Sequence, residues 1–302
     1  MIDPLLKEEI TANARRALAE DIGAGDLSAE LVPAGLTIKA RVMARTSGIL
    51  CGQAWFDECF AQLDRDGATP TRIVWQAEEG ASLAPGQTLC ELEGAARALL
   101  SGERSALNFL QMLSGVASKT RQCVNTVADT RARIVDTRKT LPGLRLAQKY
   151  AVRTGGGGNH RLALWDAILI KENHILAAGG IRAALHAALQ IAQKNPRCRF
   201  VQIEVENLAE MEAALAAGAT MLLLDNFDLP ALARAVQLNR GRAVLEASGG
   251  LTLADLRAVA ATGIDRISIG ALTKDVQAFD LSLLFLADCG GQGTSRIPAA
   301  RL

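Results

Sequence analysis

Six short apolar runs from Ile134 onward read as strands, most of them ending on a residue able to do polar chemistry, and Ala/Leu-rich stretches of helical character separate most of them. The runs are Ile134 to Asp136, Ala167 to Lys171, Phe200 to Glu204, Met221 to Asp225, Ala243 to Ser248 and Ile267 to Gly270. Continuous apolar strands alternating with helices make a parallel sheet buried on both faces. The carboxyl ends of such strands open onto one face, where barrel enzymes place their chemistry. The pattern predicts an α/β fold with an incomplete barrel of about six strands, short of the usual eight, and an active site at one mouth.

The first third reads differently. Asp3 before Pro4 is an N-cap followed by a first-turn proline, opening a helix toward Glu20. Thr37 to Arg45 alternates strictly, with Ile38, Ala40, Val42 and Ala44 on one side, which makes a half-wet strand. Gln53 to Leu63 looks helical, and Arg72 to Ala77 and Thr88 to Leu92 look like further strands around the turn Ala84-Pro85-Gly86-Gln87. The expected organisation is an N-terminal α+β open sandwich over residues 1–115 and a barrel over 116–278. The tail 279–302, with Leu281, Leu283, Leu284, Phe285 and Leu286, reads as a helix returning to the first domain. Ser101 reads as the cap of a helix from Gly102 to about Lys119, whose Leu107, Phe109, Leu110, Met112 and Leu113 spread around more than one face. A seam between domains or between subunits would cover such a helix.

The bulk numbers exclude several classes. A net charge of +1 over 302 residues gives no global field for nucleic acid or an anionic membrane. Six scattered cysteines without a CxxC read as buried or idle thiols in a reducing compartment. The start lacks a basic-then-apolar leader, and no apolar run approaches membrane-spanning length. The expectation is a cytoplasmic protein.

Chemistry concentrates between Arg131 and Arg161, where eight Lys/Arg stand with one acid, Asp136. Arg145, Lys149 and Arg153 read as a solvated basic helix face. Arg138 and Lys139 differ, because they follow directly from a strand end. A guanidinium grips a carboxylate or phosphate through two parallel hydrogen bonds, whereas Lys acts as a mobile point charge. The glycines Gly155 to Gly158 before Asn159-His160-Arg161 are expected to allow close backbone approach to a ligand. They match neither a dinucleotide fingerprint nor a Walker loop. Lys171 leaves a buried strand toward a site anion or snorkels outward. His160 is read as the direct participant and His174 as structural. Glu204 and Asp225 close successive strands; they suit ribose hydroxyls or a divalent metal, or else cap the next helices. Ser248-Gly249-Gly250 and Ser268-Ile269-Gly270 sit in late βα loops, where barrels build phosphate sites. A phosphorylated sugar reacting with an acidic small molecule fits that layout.

Asp136-Thr137-Arg138-Lys139-Thr140-Leu141-Pro142-Gly143, Lys149-Tyr150-Ala151-Val152, Gly155 to Arg161 and Leu169-Ile170-Lys171-Glu172-Asn173-His174 closely resemble the quinolinate phosphoribosyltransferase family. Gly102 to Asn108, Glu204-Val205-Glu206, Leu224-Asp225-Asn226 and Glu246 to Gly250 resemble it too, and the likeness runs from about Glu20 to Leu272. The resemblance implies a sandwich joined to an incomplete barrel, with quinolinate and phosphoribosyl pyrophosphate (PRPP) as substrates and Mg2+ as the cation. It also implies a homodimer or higher oligomer. Arg138, His160, Arg161 and Lys171 would hold quinolinate's two carboxylates, beside Thr137, and Arg104 would reach in from the partner subunit. Lys139 would face the pyrophosphate; Glu204 and Asp225 the ribose and metal; Ser248, Gly249, Gly250, Ser268, Ile269 and Gly270 the 5′-phosphate. Lys139, Lys171, Glu204 and Asp225 would be the catalytic residues. Trp165 and Leu141 depart from the family's pattern but touch no ionic role. The competing readings are a related pyrophosphorylase-like protein of molybdenum-transport operons and a non-catalytic barrel that senses a phosphorylated metabolite.

Overall fold

The computed structural model describes residues 3–64 and 70–286. The chain opens with α1 (Pro4–Ile22), capped by Asp3, whose Oδ1 accepts from the Leu6 amide at 2.9 Å. There follow β1 (Thr37–Ala44), β2 (Gly48–Ile49), α2 (Gln53–Leu63), β3 (Arg72–Trp75), β4 (Ser82–Leu83) and β5 (Thr88–Ala95). The alternation of β1 holds, with Ala40, Val42 and Ala44 buried beneath a wetter face of Lys39 and Arg41.

The long helix α3 (Ala96–Thr126) begins directly after β5, without a side-chain cap. Ser101 therefore lies inside the helix and does not cap it. Its hydroxyl donates instead to Asp26 Oδ2 at 2.8 Å, tying the preceding loop to the helix. Leu107, Phe109, Leu110 and Leu113 are buried within this one chain, because α1 and α2 cover one side of α3 while later elements cover the other. The seam needed to cover that helix is thus internal.

From β6 (Arg133–Val135) the strand–helix alternation runs through α4 (Arg145–Thr154), β7 (Ile168–Ile170), α5 (Glu172–Ala178), α6 (Ile181–Lys194), β8 (Val201–Val205), α7 (Leu208–Ala216) and β9 (Met221–Asp225). It continues with α8 (Leu229–Asn239), β10 (Val244–Ser248), α9 (Leu256–Ala261), β11 (Arg266–Ser268) and α10 (Ala271–Lys274). The six strands form one parallel sheet in the order β6-β11-β10-β9-β8-β7. β6 and β7 stand at the ends of that order, so among the described residues the barrel is open between them.

The returning tail is a strand. β12 (Leu281–Leu286) pairs antiparallel with β1, from Ala44 opposite Leu281 to Lys39 opposite Leu286, and completes the sheet β12-β1-β5-β3. The open edge of β1 offers unpaired amides and carbonyls, and satisfying them outweighs the helical preference of leucine. Leu281 and Leu283 are buried while Leu284 and Phe285 are exposed. Residues 287–302 of the expected helix lie outside the described residues. Among the described residues no single helix is long and apolar enough to cross a membrane.

Candidate active site

Side chains along a strand alternate faces, so residues two apart point the same way. Leu169 and Lys171, Glu204, Leu223 and Asp225, Glu246 and Ser248, and Ser268 come together in this way around a cavity of about 400 Å³ at the carboxyl ends of the parallel strands. Thr137, Arg138, Lys139, His160 and Arg161 complete it. Arg161 and Lys171 therefore share one site. A second cavity of about 600 Å³ adjoins it and shares Thr137, Lys139, Asp225, Ser248 and Ser268. Its other walls include Gly249, Gly250, Ile269, Gly270, Lys119 and Lys274.

The first cavity is short of negative charge where it is most cationic. Arg161 is 8% exposed, and the carboxylates of Asp166 and Glu204 pull on its charge. Burial, and then the neighbouring Arg138, hold it below the usual guanidinium range. The Nε of Arg138 is buried and has no hydrogen-bond partner. Two like-charged guanidiniums crowded in a shielded place are unfavourable until an anion arrives. Lys171 is different, since its Nζ donates to both oxygens of Glu204, at 2.9 and 2.7 Å.

A buried lattice positions this cluster. Asp136 and Lys149 form an ion pair that is almost wholly buried. Burial raises the Asp136 carboxyl and lowers the Lys149 ammonium, each against the pull of the other. Asp136 Oδ2 also accepts from Asn159 Nδ2 at 2.6 Å, and Oδ1 from the His160 amide at 2.9 Å. Lys149 thus anchors the start of the site and does not belong to a solvated face; Arg153 is exposed as expected. The imidazole of His160 has both nitrogens engaged, with Nδ1 accepting from the Arg161 amide at 2.7 Å and Nε2 2.7 Å from Gln202 Oε1.

The second cavity is shaped by glycines. Gly249, at φ +117°, lies so close to Asn226 that a Cβ would come within 2.3 Å of Asn226 Oδ1 and 2.8 Å of its backbone nitrogen. A Cβ on Gly270 would reach 3.0 Å from the Lys139 side chain, which runs between the two cavities. The run Gly155 to Gly158 does other work than expected. A Cβ on Gly155 would meet Ala117 O at 2.5 Å, and one on Gly157 would meet Thr120 at 2.8 Å. Gly158 pairs with the free edge of β6, its amide donating to Ile134 O at 2.8 Å. These glycines let the loop lie flat against α3 and β6, and none of them lines either cavity. His174 caps α5, its Nδ1 accepting from the Lys171 amide at 3.0 Å, as a structural histidine does. Arg104 is exposed on α3 and lines neither cavity.

Residues 26–114 match the model of the quinolinate phosphoribosyl transferase N-terminal domain, and residues 116–284 match that of the C-terminal domain. The chain belongs to the quinolinate phosphoribosyl transferase family. A nicotinate-nucleotide pyrophosphorylase [carboxylating] of Mycobacterium leprae is 42% identical over 275 residues, covering 89% of this chain and 94% of that one. A probable enzyme of the same name from Bacillus subtilis is 40% identical over 264 residues, covering 87% and 89%. The solved nicotinate-nucleotide pyrophosphorylase of Francisella tularensis superposes with a TM-score of 0.87 at 42% identity, over 93% of this chain and 97% of that one.

Within this member of the family, Asp225 lines both cavities and Glu204 the first. Among the described residues no group of three or more His, Cys, Asp or Glu could hold a metal unaided. Two carboxylates suit magnesium, which keeps waters and borrows substrate phosphate oxygens. Glu246, in the wall of the first cavity, and Gln202, hydrogen-bonded to both Glu246 and His160, escaped the sequence reading of the site. Each is fully buried, two positions before a recognised strand-end residue and therefore on the same face. A polar residue inside an otherwise apolar strand was the available signal.

Proposed function

We propose that this chain transfers the phosphoribosyl group of PRPP to quinolinate with decarboxylation, giving nicotinate mononucleotide, pyrophosphate and CO2. One observation carries the reading: Arg138, its Nε buried without a partner, and the 8% exposed Arg161 crowd one cavity that adjoins a second, glycine-shaped one. A planar dianion satisfies the first and a phosphorylated pentose the second. Leu169 and Leu223 give the ring an apolar wall.

Arg138, Arg161 and Lys171 take the two carboxylates, with His160 beside them, and fix the ring nitrogen toward the second cavity. Ser248 to Gly250 and Ser268 to Gly270 cradle the 5′-phosphate through backbone amides and hydroxyls. The nitrogen lone pair forms the bond to the anomeric carbon while the bond to pyrophosphate breaks, its electron pair leaving with the oxygen. Positive charge building on the pentose faces Glu204 and Asp225, and Lys139 meets the departing negative charge. Magnesium held by Glu204 and Asp225 would neutralise pyrophosphate charge. The cationic ring then accepts the electrons of the adjacent carbon–carboxylate bond, CO2 leaves, and that carbon takes a proton from water. No nucleophilic side chain is required, so positioning carries much of the rate.

The working unit on this reading is a homodimer in the cytoplasm, with Arg104 entering the partner's cavity. Arg104 is exposed on α3, the helix whose Ser101 ties down Asp26 of the segment bearing Leu27 and Leu31, which are 82% and 87% exposed. A second copy would cover those leucines and give Arg104 an anion to meet. Incubating purified protein with Mg2+, PRPP and quinolinate carrying a labelled 2-carboxylate tests the function. Stoichiometric pyridine nucleotide and labelled CO2 are expected. Nucleotide from nicotinate but none from quinolinate would overturn the reading.

A further inference from the structure

Glu246 is fully buried beneath the first cavity, and its Oε1 has no hydrogen-bond partner. Its countercharge is Arg266, opposite it in register on β11, with Nε 3.1 Å from Oε2 but out of line for a hydrogen bond. Its one hydrogen bond runs toward the site: Gln202 Nε2 donates to Glu246 Oε2 at 3.3 Å, while Glu246 Oε1 stands 3.6 Å from His160 Nε2, beyond hydrogen-bond reach. Gln202 Oε1 then stands 2.7 Å from His160 Nε2, and His160 Nδ1 accepts the Arg161 amide at 2.7 Å.

We propose that Glu246 is a positioning residue for Arg161, acting through Gln202 and His160 by dictating the direction of every hydrogen bond between them. A carboxylate only accepts, so it turns the amide of Gln202 with its NH2 inward. The amide oxygen must then face His160, which places the imidazole proton on Nε2. That leaves the Nδ1 lone pair for the backbone N–H of Arg161, fixing where its guanidinium enters the cavity. A neutral amide at position 246 would fill the same space and could turn either way. The buried charge is retained for its one-way polarity.

The inference rests on quinolinate as the ligand of Arg161, but its first test needs no substrate. The chain has three histidines, His160, His174 and His186, so 15N spectra of histidine-labelled protein resolve each ring. His160 is expected as a single Nε2–H tautomer in the native protein, and an Nδ1–H tautomer there overturns the proposal. In Glu246→Gln the two tautomers are expected to mix. The quinolinate KM should rise about tenfold, the scale of one misdirected hydrogen bond, while the PRPP KM stays put. A merely structural role would lower the active fraction and leave both KM values alone. Unchanged tautomer and unchanged quinolinate KM overturn the proposal. Should Glu246→Gln fail to fold, Gln202→Met interrupts the same chain and is read by the same two measurements. Native protein that ignores quinolinate yet shows the Nε2–H tautomer refutes the functional reading and leaves the hydrogen-bond chain standing.

Discussion

Arg138 shows how one side chain carries consequence at the scale of a residue. It leaves β6 into the cavity with its Nε shielded and unpaired. Arg138→Ala is expected to raise the quinolinate KM and lower kcat/KM on the order of a hundredfold, because a carboxylate would then be buried without its partner. Steady-state kinetics on both substrates checks it, with PRPP saturation little affected. Asp57, far from the site, makes a different prediction. Burial pushes its carboxyl up to about 6, although Trp75 Nε1 donates to it at 2.9 Å. Between the ordinary carboxylate value and about 6, the folded chain holds a proton there that the unfolded chain has released. Stability therefore falls as pH rises through that window and levels above it. Asp57→Asn should remove the fall and add about 2 kcal/mol at neutrality, read from urea midpoints at pH 4 and pH 7. Residues at strand ends, such as Lys171 and Asp225, were legible because position and chemistry coincide there. Lys149 was not, since its burial depends on Asp136 meeting it from another element.

Elements were legible wherever pattern and burial agree. The six apolar runs became six parallel strands with shifts of a residue or two at their ends. The glycine run Gly155 to Gly158 was legible as a close approach but not as to what approaches, because a backbone without Cβ atoms looks the same against a helix or a ligand. The loop after β10 allows a sharper statement. Gly249 combines a positive φ with contact on the backbone of Asn226. Gly249→Ala should cost about 1–3 kcal/mol and raise the PRPP KM more than the quinolinate KM. Thermal melting beside two-substrate kinetics tests both parts.

For the whole molecule, the sandwich-plus-barrel plan could be read from the switch between period-two alternation and apolar runs. The return of the chain as β12 could not, since leucine-rich segments suit helix and strand alike and only the waiting edge of β1 decides. Assembly makes the largest-scale prediction. If Arg104 serves a neighbour's cavity, Arg104→Ala and Arg138→Ala are each nearly inactive, yet mixing them after subunit exchange restores about a quarter of native activity. Half the dimers are then mixed, and each mixed dimer has one intact site. No recovery would place Arg104 outside the neighbour's chemistry.

The pairing of β1 with β12 also bears on how the chain is made. A ribosome must extrude nearly all of the barrel before the first layer receives its outermost strand. Until then the nascent sandwich carries a raw β edge able to recruit a stranger's strand. Closure joins segments from opposite ends of the sequence, so maturation should be slow and all-or-none, with the two layers locking together.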